Sequence, residues 1–144
     1  MYKVLIVEDN LEIAKPLIAL LNNCGFETEH CMRGNSVLGA FQDFAPDLIL
    51  LDLVLPVVDG LEVCQQIRRV SDLPIIIISA EASPIIRLKC FELGANDFVE
   101  KPFGIAKLIT LIETNLKQRK TKRCANIKID AISENLPKSI TSYH

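Results

Sequence analysis

Residues 47–60, DLILLDLVLPVVDG, constrain this chain more than any other stretch. Leu48, Ile49, Leu50 and Leu51 form an unbroken apolar run. Such a run, bounded by turn signals, suits a strand buried on both faces of a parallel sheet. Asp52 follows it directly, and Asp59-Gly60 opens a new helical pattern. A carboxylate at the end of a buried strand is costly unless something uses it. In open α/β sheets the carboxyl ends of strands are where ligands bind. On these residues alone, Asp52 is either part of such a site or a solvated aspartate that begins a turn.

The rest of the chain repeats the same alternation. Val4–Val7 reads as a first strand, ended by Glu8-Asp9-Asn10. Asn10 can cap a helix whose stripe is Ile13, Leu17, Leu20 and Leu21 and whose stop is Gly25. Pro16 lies inside it and predicts a bend. Phe26–Cys31 is a mostly polar strand that fits a sheet edge. A second helix is expected over Asn35–Phe44, with Val37, Leu38, Phe41 and Phe44 inward. Asp59 with Glu62 predicts a capping box for a third helix, with the stripe Val63, Ile67 and Val70. Ile75–Ile78 is the most β-rich run. Ser83-Pro84 marks the start of a fourth helix that stops at Gly94. Asp97–Glu100 gives a fifth strand, followed by Lys101-Pro102-Phe103 and a helix over about Ile105–Gln118. Five βα units with short connections imply an α/β doubly wound fold around a parallel sheet.

Composition narrows the class. With 144 residues, 49% apolar and 24% charged, the chain suits one soluble globular domain. No apolar run reaches the roughly 20 residues of a membrane span, and strand one begins at once, so no signal peptide is expected and the cytoplasm is the expected location. The cysteines at 24, 31, 64, 90 and 124 lack CxxC spacing and are expected to be buried, reduced thiols. Charge is uneven: residues 1–116 hold 9 Lys and Arg against 16 Asp and Glu, whereas residues 117–144 hold 7 against 2. An acidic body and a basic tail place a boundary near Lys117, with residues 1–118 as the domain and 119–144 as a basic linker and tail.

Polar residues recur at the strand ends. Glu8 and Asp9 follow strand one, Asp52 strand three, Ser79 strand four and Lys101 strand five. In a parallel sheet these ends share one edge. Three crowded carboxylates repel one another unless a cation intervenes. Mg²⁺ matches, because it takes one or two carboxylates and keeps waters and phosphate oxygens. Lys101 adds a fixed positive charge and Ser79 a hydroxyl, which together would neutralise the oxygens of a phosphoryl group passing to Asp52.

The pieces VLIVEDN at 4–10, DLILLDLVLPVVDG at 47–60, IIIISA at 75–80 and ELGANDFVEKPF at 92–103 resemble the response-regulator receiver domain of two-component signalling. The resemblance covers about Met1–Leu116. It implies the flavodoxin-like (βα)5 fold with strand order 2-1-3-4-5. It implies that Asp52 is the phosphoacceptor, that Glu8, Asp9, Asp52 and the Val54 carbonyl hold Mg²⁺, and that Lys101 senses the phosphate. Ser79 becomes the switch hydroxyl, and Phe98 the aromatic ring that moves inward as Ser79 is drawn to the phosphate. A cis peptide is implied before Pro102. The implied partner is a sensor histidine kinase or phosphotransfer protein, and the implied output is transcription, with DNA contacted only through a separate output domain. Such a chain is not an enzyme beyond its own phosphotransfer and autodephosphorylation.

Three other readings stand beside this one. An aspartyl-phosphate phosphatase of the haloacid-dehalogenase type needs a second aspartate two residues past the nucleophile, and Val54 stands there. A receiver-like interaction module that never carries phosphate would not need the complete site. A dinucleotide binder would need GxGxxG after strand one, which is missing. Helix four to helix five resembles the receivers of winged-helix transcription factors, which form homodimers through a charged helix 4–strand 5–helix 5 face. Arg87 and Asp97 fit that pattern. Lys107 and Leu111 do not, since the pattern has an acidic residue and an arginine there. In the tail, KQRKTKR at 117–123 reads as a helix end and linker that could touch nucleic-acid phosphates, and Ile127 and Ile129 alternate with polar residues like a short strand.

Overall fold

The apolar runs do become the interior of a sheet. The computed structural model describes the backbone of residues 1–132 and the side chains of residues 1–121. Its elements, in order, are β1 (Lys3–Val7), α1 (Leu11–Asn23), β2 (Glu27–Cys31), a short 3-10 turn (Gly34–Ser36), α2 (Val37–Phe44), β3 (Leu48–Leu51), α3 (Gly60–Arg68), β4 (Ile75–Ser79), α4 (Pro84–Glu92), β5 (Asp97–Glu100) and α5 (Ile105–Ile132). The strands are all parallel and lie in the order β2-β1-β3-β4-β5. β2 is an edge strand, and its alternating exposure agrees with its polar sequence.

Successive strand residues feed two separate cores. Leu5, Val7, Ile49, Leu51, Ile75 and Ile77 face α2, α3 and α4 through Val37, Val63, Ile67 and Cys90. Val4, Ile6, Leu48, Leu50, Ile76 and Ile78 face α1 and α5 through Leu17, Leu21, Leu108, Ile112 and Leu116. Each fully buried Leu or Ile contributes roughly 1.5–3 kcal/mol of transfer free energy. This double coverage explains why β3 and β4 read as continuous apolar runs.

Local signals set the helix starts. The Asn10, Asp59 and Ser83 side chains accept the backbone N–H groups of Glu12, Glu62 and Ile86 at 3.0, 3.0 and 3.3 Å, each worth about 1 kcal/mol. Gly25, at φ 92°, lets the chain leave α1 in the left-handed region. Pro16 lies within a helix that continues to Asn23.

Several expectations need correction. α5 does not end at Gln118 but runs to Ile132, and Ile127 and Ile129 lie in that helix rather than in a strand. A run of Lys and Arg carries no backbone stop signal, so the change of charge near Lys117 leaves the helix intact. Residues 133–144 of the expected tail lie outside the described residues. Val70 is exposed, because α3 is capped at Arg69 before the stripe can reach it. Cys31, Cys64 and Cys90 are buried free thiols, but Cys24 is exposed at the end of α1, and the side chain of Cys124 lies outside the described ones.

Candidate functional site

Strand register, rather than sequence proximity, assembles the site. β1 and β3 pair Val7 with Leu51, so the residues that follow, Glu8 and Asp52, emerge side by side. The Asp52 N–H donates to the Val7 carbonyl at 3.0 Å, and the Glu8 N–H to the Cys31 carbonyl at 3.0 Å. On the other side β4 pairs Ser79 with Glu100, and the Lys101 N–H donates to the Ser79 carbonyl at 2.9 Å. The Lys101–Pro102 peptide is cis, as the resemblance implied.

Lys101 reaches back across the sheet edge. Its Nζ donates to Glu8 Oε1 at 2.6 Å and to Asp52 Oδ2 at 3.1 Å. The other Asp52 oxygen, Oδ1, accepts the Val54 N–H at 3.3 Å. Both oxygens of the Asp52 carboxylate are thereby tied and its plane is set. Gly60 is required behind it. An added Cβ there would overlap the Asp52 carbonyl oxygen and lie 2.6 Å from Leu53 Cα.

The electrostatics are those of two buried carboxylates sharing one ammonium. Glu8 and Asp52 are both buried. Burial pushes Glu8 up to about 7, the Asp52 carboxylate beside it acts the same way, and Lys101 offsets only part of this. For Lys101, burial works to lower the ammonium, but its hydrogen bonds to Glu8 and Asp52 outweigh that and leave it above its usual value.

One oxygen remains unserved. Glu8 Oε2 is buried and has no hydrogen-bond partner among the described residues. Single carboxylate oxygens of Glu8, Asp9 and Asp52 all lie within 4.8 Å of one another, and Asp9 is exposed. Hard oxygen donors at a solvent-facing edge fit a hard divalent cation that keeps part of its water shell.

Val54 is exposed beside Asp52. Ser79 is buried, and its Oγ accepts the Glu81 N–H at 3.1 Å. Phe98 lies on the α2–α3–α4 side of the sheet and is only 7% exposed. Two further contacts were missed in the sequence. His30 on β2 places Nε2 2.7 Å from the Glu8 carbonyl, which can only accept, so Nε2 carries the proton. Arg87 stacks over the Phe98 ring at 4.7 Å. Neither has a local signal, because each depends on which strands or helices become neighbours.

Strand order and crossovers define a flavodoxin-like fold. The family is more specific: residues 4–113 match the response regulator receiver domain, and the chain belongs to that family. The general role of its members is phosphorylation-based switching in two-component signalling. The chain is 38% identical over 121 residues to the transcriptional regulatory protein BaeR of Escherichia coli O6:H1, covering 84% of this chain and 50% of that protein. It is 42% identical over 118 residues to the sensory transduction protein RegX3 of Mycolicibacterium smegmatis, covering 82% and 52%. The chain thus spans about half the length of the curated relatives it matches. The BeF3-activated N-terminal receiver domain of Klebsiella pneumoniae RstA superposes with a TM-score of 0.77 at 28% identity, covering 79% of this chain and 97% of that one. No helix among the described residues is long and apolar enough to cross a membrane.

Proposed function

We propose that Asp52 accepts a phosphoryl group from a sensor histidine kinase or phosphotransfer protein, and that the modified domain switches conformation to control transcription in the cytoplasm. The observation that carries this reading is the Lys101 bridge at 2.6 and 3.1 Å to Glu8 and Asp52, beside a buried carboxylate oxygen without a partner. An ordinary structural ion pair would satisfy its acceptors. Here one is left for a cation.

Glu8, Asp9, Asp52 and the Val54 carbonyl would hold Mg²⁺, which when bound supplies charge neutralisation for the incoming phosphoryl oxygens. A carboxylate oxygen of Asp52 attacks phosphorus, and the donor's imidazole nitrogen leaves. Lys101 gives up its contact with Asp52 and takes a phosphoryl oxygen. The Ser79 hydroxyl donates to another phosphoryl oxygen, and as it turns its oxygen gives up the Glu81 N–H, moving the loop after β4. Phe98 responds on the far side of that loop. We assign residues 1–118 to the receiver and 119–144 to a basic linker and tail, with any DNA contact made by a separate output domain. A homodimer would use the α4–β5–α5 face.

Incubation with acetyl phosphate and Mg²⁺ tests this. We expect Mg²⁺-dependent incorporation of one phosphoryl group per chain, and strong suppression in Asp9→Asn, which keeps Asp52 but removes a metal ligand. Failure of the wild type with both acetyl phosphate and histidine kinases would support an interaction module that works without phosphate.

A further inference from the structure

We propose that Arg87 is the positioning residue that couples the loop after β4 to Phe98. This rests on the reading of Ser79 and Phe98 as a switch pair. Arg87 lies in the first turn of α4 and makes three contacts with two other elements. Its Nε donates to the Ala82 carbonyl at 3.1 Å, in the loop after β4. Its Nη2 donates to Glu100 Oε2 at 3.2 Å, at the end of β5. Its guanidinium carbon lies 4.7 Å from the centroid of the Phe98 ring. Phe98 and Glu100 are two residues apart and so share a face of β5.

An exposed Arg–Glu pair alone is worth little, so the pair with Glu100 does not explain the arrangement. The three contacts together use what only arginine has. Its planar fork donates along the edge while its face stacks on an aromatic ring. A lysine can supply charge over the ring, but cannot hold the Ala82 carbonyl and Glu100 in fixed directions at the same time.

The path to the site is short. Ala82 lies three residues beyond Ser79, and the Ser79 Oγ is held by the Glu81 N–H at 3.1 Å. Drawing that hydroxyl toward Asp52 breaks the Glu81 bond and frees the loop that carries Ala82. The Ala82 carbonyl then shifts under Arg87 Nε, and the guanidinium, which covers Phe98, shifts with it. The ring is thereby released or held according to the position of the loop. A competing route runs through the β4–β5 ladder, in which Ile77 pairs with Phe98 and Ser79 with Glu100. That route does not need Arg87.

Solution NMR of the full chain, with ¹³C-labelled phenylalanine and ¹⁵N amides, separates the two. Beryllofluoride with Mg²⁺ serves as the probe. In the wild type, the Glu81 and Ala82 amides, the Glu100 amide and the Phe98 ring should all shift as the probe is added. In Arg87→Met, which keeps the stem of the side chain, Glu81 and Ala82 should still shift, while the probe-dependent shifts at Phe98 and Glu100 are lost. Arg87→Lys should lose them too, because charge alone does not restore the fork. Wild-type shifts at Phe98 and Glu100 in both variants would overturn the proposal and assign the coupling to the strand ladder. Absence of any probe-dependent change at Glu81 in the wild type would instead overturn the reading of the site itself.

Discussion

Raising the pH should weaken the metal-free protein through Glu8, and Glu8→Gln should remove that effect. Burial lifts this carboxyl from its ordinary 4.5 to about 7, with Asp52 acting in the same direction. Between those values the folded protein holds a proton that the unfolded chain has released. The stability this proton confers is complete below 4.5 and is lost as the pH rises through about 7. At roughly 1.4 kcal/mol per pKa unit the interval amounts to about 3 kcal/mol. For a chain of this size that is roughly 6–12 °C of melting temperature. Glutamine cannot titrate, so the difference between wild type and variant isolates the group. Urea denaturation in the presence of chelator, from about pH 5 to pH 8, should show the wild type losing most of that amount relative to Glu8→Gln. Mg²⁺ competes with the same proton, so its stabilising effect should grow toward the alkaline end in the wild type and stay small in the variant. A difference between the two proteins that does not change with pH would refute this account of Glu8.

Other consequences follow from single positions. Val57 is β-branched, 74% exposed and held at φ 72°, a strain of order 1–3 kcal/mol. Val57→Gly should therefore stabilise the fold by about 1 kcal/mol net of the glycine entropy cost, read as a higher urea midpoint. Gly60→Ala should cost about 1–3 kcal/mol by overpacking against Asp52 and Leu53, and should slow phosphorylation by moving the Asp52 backbone. Both effects are read by denaturation, the second also by acetyl phosphate uptake. The usual charged dimer should not form: Lys107 carries the wrong sign, and Leu111 packs half-buried beside α5's core residues. Sedimentation velocity with beryllofluoride should show a monomer at micromolar concentration, or a dimer that Lys107→Glu does not weaken.

Much of the fold was legible because its causes are local. Continuous apolar runs marked β3 and β4. Polar composition marked β2 as an edge. Asn10, Asp59 and Ser83 announced the helix starts through side chains that cap within three residues. The site was legible for a different reason: parallel strands bring their carboxyl ends to one edge, so Glu8, Asp9, Asp52, Ser79 and Lys101 could be gathered before any distance was known. What was not legible depends on packing between distant segments. The stacking of Arg87 on Phe98 needs α4 to lie over β5. The contact between His30 and the Glu8 carbonyl needs the β1–β2 register. The end of α5 is not legible, because a change of charge composition near Lys117 does not break a helix. Val70 falls off the stripe because α3 ends at Arg68, two residues before it.

Which side chain carries the phosphoryl group is the most direct test of the site. Phosphorylating the full chain with acetyl phosphate and Mg²⁺, then reducing it with borohydride, converts an aspartyl phosphate to homoserine at the modified residue. Peptide mass spectrometry should find homoserine at position 52 alone, and none in Asp52→Asn. Homoserine at another aspartate, or a phosphoryl group that survives in Asp52→Asn, would contradict the assignment.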